Sequence, residues 1–425
     1  MFDDVGVGGV RVDQGPASPN KRTTLLCFSH LRWDFVFQRP QHLMSRFAKA
    51  MPVVIWEEPV GAAHGEGPSL EVRPAKDTPN VTVVTPHLPE GLDAKATETV
   101  LKGLLDGYVA TLEGRPIRWY YTPMMLPFSR HLDSVCTVYD CMDELSAFRF
   151  APQELLDMEA ELLKAADVVF TGGYSLYEAK KKRHGNVHPF PSSVDRQHFG
   201  KARAGISDPA DQAAIARPRL GFYGVIDERI DLELLAAVAD ARPDWQLVMV
   251  GPVVKISEDE LPRRANIHYL GGKSYEELPS YVGNWDVAMM PFAINEATRF
   301  ISPTKTPEYL AAGKPVVSTP IKDVKRHYEK LTAVRIAGTP EQFVDACDRA
   351  LALTQGDDQW LAEVDLALAD MSWDITQARM AKLIAEITEQ GQKIERPAFG
   401  KGHYTHTTRA KKYDYLVVGC GFAGS

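Results

Sequence analysis

No stretch of this sequence reaches 18 consecutive apolar residues, which excludes a membrane-spanning helix. Its five cysteines, at 27, 136, 141, 347 and 420, form no CxxC pair. A scattered, odd set fits neither a disulfide framework nor a four-cysteine zinc site, and it favours a reducing compartment. Positive charge is not in excess: 48 Lys and Arg face 56 Asp and Glu, a formal net charge of -8. Nucleic acid as a partner is disfavoured, because phosphate binding draws on a basic surface. HExxH is absent and His184 and His188 have no acidic third ligand, so no metal is expected. Cys141 has no histidine at a spacing suited to a cysteine nucleophile. The opening MFDDVGVGGVRVDQGPASPN has no apolar core of signal-peptide length, so residues 1–22 are expected as a disordered tail of a cytoplasmic protein.

What is present is 425 residues, 44% of them hydrophobic, enough for two or three domains. From Thr23 onward TTLLCF, VVIWEEP, VTVVTPHLP, IRWYYTP, SVCTVYD and DVVFTG are apolar runs of strand length. Helical patterns intervene at Gln41 to Ala50 and at Pro152 to Ala166, where Leu155, Leu156, Met158, Leu162 and Leu163 mark one face. Apolar strands alternating with helices predict a parallel sheet covered on both sides. The Ala-, Asp- and Pro-containing segment Lys201 to Arg219 reads as a domain boundary. Beyond it the alternation restarts with LGFYGVI, WQLVMVGP, NIHYLG, WDVAMMPF and PVVSTP. The fold class is therefore α/β, two αβα units in series whose strand ends face a cleft, where such proteins bind ligands.

The stretch NEATRFISPTKTPEYLAAGKPVVSTP, Asn295 to Pro320, carries the most chemistry. Pro303 and Pro307 suit a first helical turn, and Ser302 is a cap candidate. The amide-rich end of that helix, with Lys305, is a place for phosphate. Glu308, one turn in, reaches for sugar hydroxyls. Lys305 and Glu308 also fit an ordinary i,i+3 surface pair, with Ser302 as a cap only. In the first unit, SHLRWDFVFQRPQHL follows the first strand and offers His30, Trp33, Asp34 and Arg39 as ligand contacts. Trp33 is equally suited to plug a core, and His30 to sit satisfied in a loop. Asp140 and Asp143 in YDCMDEL follow another strand, Asp140 being also a cap candidate. Lys180 to Gly185, KKKRHG, is a basic helix end suited to its dipole or to anionic lipid headgroups.

PTKTPEYLAAGKPVVSTP resembles the donor-site segment of GT-B glycosyltransferases, in particular the retaining, nucleotide-sugar-dependent, family 4-like group. LGFYGVIDERIDLELL resembles the start of the donor domain, and NVHPFPSSVDRQHF the passage closing the acceptor domain. The likeness covers roughly residues 23 to 390. It implies two Rossmann-like domains facing across a cleft: an acceptor-side domain at 23–205 and a nucleotide-sugar-binding domain at 216–372. It also implies a helix at 373–390 that crosses back onto the first domain, its buried side marked by Trp373, Ile375, Ala378, Leu383 and Ile384.

The activity so implied is hexosyl transfer from a nucleotide diphosphate sugar to a hydroxyl of a cell-surface glycan or lipid-linked acceptor, as in cell envelope polysaccharide biosynthesis. No bound cofactor is implied, only the donor. Glu308 would grip the ribose, and Arg229 and Lys305 the diphosphate. Asn295, Arg299, Ser302 and Thr304 would line the donor side, and His30, Trp33, Asp34, Arg39, Asp140 and Asp143 the acceptor side. Two departures stand out. The position eight before Glu308, where retaining members commonly carry a second glutamate, is Phe300, and Arg229 has no lysine beside it. An inactive docking domain is therefore the alternative. After a Gly- and Pro-rich linker at 391–412, YDYLVVGCGFAGS at 413–425 resembles the N-terminus of UDP-galactopyranose mutase. That marks a truncated fusion and favours a UDP-sugar as donor; a GxGxxG with no helix after it supports no oxidoreductase. Peripheral contact with the inner face of the plasma membrane is a further expectation, through the basic helix end.

Overall fold

A computed structural model of the chain describes residues 23–393, apart from 77, 149 and 150. The resemblance to a mutase at 413–425 lies outside them. Two sheets carry the molecule. In the N-terminal sheet the path from edge to edge is Val60–Gly61, Val81–Leu88, Val53–Glu57, Leu25–Ser29, Ile117–Tyr120, Cys136–Cys141, Val168–Thr171 and Val187–Pro189. All neighbours along that path are parallel. A ninth strand, Ser69–Pro74, pairs antiparallel with Val81–Leu88. The sequence reading missed it, because SLEVRP is short and largely exposed and so shows no apolar run.

Strand residues alternate between the two faces of a sheet. Leu25 and Cys27 accordingly pack into one core layer with Trp119, Val138 and Phe170. Leu26 and Phe28 pack into the opposite layer with Trp56, Tyr120 and Tyr139. Because both faces are covered, these strands read as unbroken apolar runs.

The C-terminal sheet has six parallel strands in the order Ile267–Tyr269, Gln246–Val250, Arg219–Tyr223, Val287–Met290, Val316–Ser318 and Val334–Ile336. Gly221 is required inside it: a Cβ there would lie 1.9 Å from the buried Trp285 ring. The core changes hands earlier than the expected boundary at 205, since Val194, Phe199 and Ala202 already belong to the C-terminal core. Gln212, fully buried, accepts from Trp285 Nε1 at 2.8 Å and ties the connecting segment to that unit.

The helix Trp373–Lys393 packs on the N-terminal unit, with Trp373, Met380 and Ile384 in its core. Its buried phase differs from the expected one: Ile375 and Ala378 face outward, while Thr376 and Met380 are buried. Positions 373, 376, 380 and 384 recur at three- and four-residue spacing, and 375 and 378 fall off that stripe.

The units also touch directly. Ser175 at the start of the helix Tyr174–Lys180 donates from its backbone N (3.2 Å) and Oγ (2.6 Å) to the buried Asp323 of the C-terminal unit. Phe37 stacks on Tyr275 at 4.6 Å, and His42 meets the same ring edge-on at 5.4 Å.

Candidate active site

The cleft is built where the strands Arg219–Tyr223 and Val287–Met290 end, opposite the loop after Cys136–Cys141. Gly224 follows the first of these with φ of +137°. A Cβ on it would lie 2.3 Å from Lys305 Cε, so glycine is needed both for the backbone and for the lysine's approach. Lys305 opens the helix Lys305–Ala311, so Pro303 lies before the first turn it was expected to occupy. Thr304, not Ser302, occupies its N-cap, and no side chain caps it.

The Lys305 ammonium lies 5.6 Å from the Phe222 ring centre and 6.0 Å from that of Phe292. Burial, and then repulsion from Arg229, bring its pKa down to about 8. Glu308, buried one turn on, accepts a hydrogen bond from the Tyr223 hydroxyl. Burial pushes its carboxyl up to about 7.

Arg229 sits in the loop after Arg219–Tyr223, held by the buried Asp227. Nε donates at 2.9 and 3.1 Å and Nη2 at 2.7 Å. Its guanidinium lies 5.7 Å from the ring of Phe148, a residue of the N-terminal unit, and Lys255 lies 4.9 Å from the same ring. Asp143 sits on that N-terminal wall. Burial raises its carboxyl to about 6 against the opposing pull of Arg229, Arg39 and Lys305. Arg229, Lys305, Glu308 and Asp143 thus form one coupled group spanning both units, with its cations at the ends of the C-terminal strands. Two cations beside buried carboxylates and aromatic rings suit a diphosphate joined to a polyol.

His30, after the first strand, has a buried Nδ1 with no hydrogen-bond partner, and burial lowers its pKa to about 4, so it stays neutral. Asn295 holds the Arg229 loop, its Nδ2 donating to the Glu228 carbonyl at 3.3 Å. Ser302 lies at the junction of the units, its carbonyl accepting from Ser192 Oγ at 2.9 Å.

Other expected contacts are engaged with partners of their own. Trp33 is a core residue, and its backbone N–H donates to Glu57 at 2.8 Å. Asp34 is exposed and pairs with Arg73 at 2.6 Å. Arg39 and Asp140 are both buried and pair with each other at 2.8 Å, while Arg39 Nη1 also donates to the Phe190 carbonyl. Their hydrogen bonding is thus consumed within the N-terminal unit. Arg299 is exposed and pairs with Glu296 at 3.2 Å, so it adds no further cation to the pair Arg229 and Lys305. Phe300 packs against the N-terminal core. In the basic helix end, Lys180 is buried between Glu144 and Glu159, and Arg183 pairs with Glu159, which takes two of its cations out of any exposed patch.

The sequence reading missed Tyr223, Asp227, Phe148 and Lys255. Asp227, two residues before Arg229, carried a legible signal as an acidic partner; Phe148 carried none, since its role depends on how two units meet.

Comparison with known proteins agrees with this geometry. Residues 217–352 match the family described as Glycosyl transferases group 1. A Bacillus subtilis (strain 168) protein, TuaH, proposed to be a teichuronic acid biosynthesis glycosyltransferase, is 26% identical over 254 residues. That match covers 55% of this chain and 63% of the relative's length. The sucrose-phosphate synthase structure from Thermosynechococcus elongatus superposes with a TM-score of 0.65 at 15% identity, over 87% of this chain and all of that one. An Escherichia coli structure described as trehalose-6-phosphate bound with UDP-2-fluoro glucose gives 0.61 at 14% identity, over 86% and 99%. The chain therefore has the GT-B fold of two facing Rossmann-like domains, and the match to the Glycosyl transferases group 1 family falls in its second unit.

Proposed function

We propose that this protein is a retaining glycosyltransferase that moves a hexosyl group from a UDP-sugar to a hydroxyl of a cell-surface glycan or glycolipid. One observation carries the reading: Arg229, Lys305 and Glu308 converge at the strand ends of the group 1 domain and face Asp143 across the cleft. Lys305 and Arg229 take the diphosphate, and stabilising its departing charge is the main catalytic work, since fixed cations in a shielded site need no reorganisation. Glu308, fixed by Tyr223, takes the ribose hydroxyls. Asp143, on the acceptor wall, takes the incoming hydroxyl. The UDP preference draws on the donor in the E. coli structure and on the sequence of the C-terminal tail. The cell-envelope acceptor draws on the B. subtilis relative.

Calorimetric titration with UDP and with GDP, followed by turnover of UDP-hexoses with a membrane extract as acceptor, tests the proposal. Saturable UDP binding and sugar-dependent UDP release, both lost in Glu308→Ala, are expected. Absence of binding by either nucleotide overturns it. UDP binding without any turnover would instead favour an inactive docking domain, for which the Phe300 departure is the argument.

A further inference from the structure

Glu228 lies in sequence between the diphosphate cation Arg229 and the Asp227 that holds it, yet its own carboxylate makes no hydrogen bond. Both oxygens of its carboxylate are buried, and neither has a hydrogen-bond partner. The backbone around it is firmly held: its carbonyl accepts from Asn295 Nδ2 at 3.3 Å, Arg229 N donates to Asp227 Oδ1 at 3.0 Å, and Ala293 N donates to the Arg229 carbonyl at 2.8 Å. Slack in the loop therefore does not account for the missing partners. A buried carboxylate without partners is costly, and a fold retains one where a ligand completes it.

The chemistry of that ligand follows from the neighbours. An ionised carboxylate only accepts hydrogen bonds, so an anion is excluded. A divalent cation is poorly served, since the adjacent residue is the Arg229 guanidinium and no metal-binding cluster of His, Cys, Asp and Glu occurs among the described residues. What fits is a pair of neutral O–H donors, as on a sugar ring. We infer that Glu228 receives hydroxyls of the hexosyl ring of the donor and sets which sugar is accepted. The inference rests on the glycosyltransferase reading above.

The experiment uses the full chain and its Glu228→Gln variant, with UDP, UDP-glucose and UDP-galactose as probes in calorimetry. UDP should bind both proteins within about twofold. The preferred UDP-hexose should lose about tenfold or more in the variant, with discrimination between the two sugars narrowed. The unliganded variant should keep its melting temperature, because neither carboxylate oxygen of Glu228 makes a hydrogen bond within the fold. Acceptor KM should stay unchanged. Equal losses for UDP and UDP-hexose, a lowered melting temperature, or a change confined to acceptor KM would each overturn the inference. If the wild type binds UDP but gains nothing from either hexose, the inference fails while the nucleotide site stands. If it binds neither nucleotide nor sugar nucleotide, the glycosyltransferase reading itself fails.

Discussion

Lys305 and Glu308 lie one helical turn apart and are shifted toward each other on the pH scale, to about 8 and about 7. The proposed donor capture needs the lysine charged and the glutamate ionised. The donor kcat/KM, which reports groups of the free enzyme, should therefore rise as pH approaches 7 and fall beyond about 8. Lys305→Met should abolish the alkaline limb and cost about 10²- to 10³-fold in kcat. A profile flat from pH 6 to 9 would remove both groups from donor binding. Stability runs differently. Glu308 binds its proton more tightly folded than unfolded, so its contribution falls as pH rises from the ordinary carboxyl value to about 7. Lys305 binds its proton less tightly folded, so its contribution grows as pH rises from about 8 toward the ordinary lysine value. The pair was legible in PTKTPEYLAAG because spacing along one helix is local information. Asp143 was legible in YDCMDEL as an acceptor-side candidate, whereas Tyr223, which holds Glu308, lies in a distant strand; Arg39 and Asp140 pair with each other, which a sequence does not distinguish from facing a ligand.

At the scale of the element, the helix Trp373–Lys393 separates what periodicity predicts from what apolarity suggests. Its chain position after the last C-terminal strand and its amphipathic pattern were legible. Its exact face was not, because Ile375 is apolar but off the 373, 376, 380, 384 stripe and is 38% exposed. Trp373 is fully buried and stacks on His42 with the ring planes 8° apart. Burial holds His42 well below the ordinary histidine pKa, so the stack stays neutral at pH 7. Trp373→Ala should cost about 3–5 kcal/mol through lost transfer energy and the cavity left behind. Ile375→Ala should change stability by no more than about 0.5 kcal/mol. Urea denaturation of the two variants checks this, and equal effects would mean that the helix does not seal the N-terminal core. The antiparallel strand Ser69–Pro74 shows the opposite limit, since an exposed edge strand has little apolar pattern to betray it.

Over the whole molecule, the proposed transfer requires two units to present their walls at a fixed separation, and one junction beside the cleft helps to hold it. Asp323, buried, receives three hydrogen bonds from Ser175. Glu178, further along the same helix, pairs with Lys322 at 2.8 Å and also with Arg326. Gly173 lies directly beneath: a Cβ on it would come within 2.3 Å of Asp323 Oδ2 and 2.7 Å of Ser302 Cβ. Ser302 is three residues before Lys305, so a shift at the junction is delivered straight to the donor cation. Gly173→Ala cannot be accommodated by a flexible side-chain end alone, because Ser302 Cβ is carried by the backbone. The variant should therefore hold its units apart while each core stays folded. Small-angle scattering should show a larger radius of gyration for Gly173→Ala, with UDP bound more weakly and kcat lowered by about a hundredfold, since misplacement by an ångström costs rates of that order. Unchanged scattering together with unchanged turnover would show that the junction does not govern how the walls of the cleft meet.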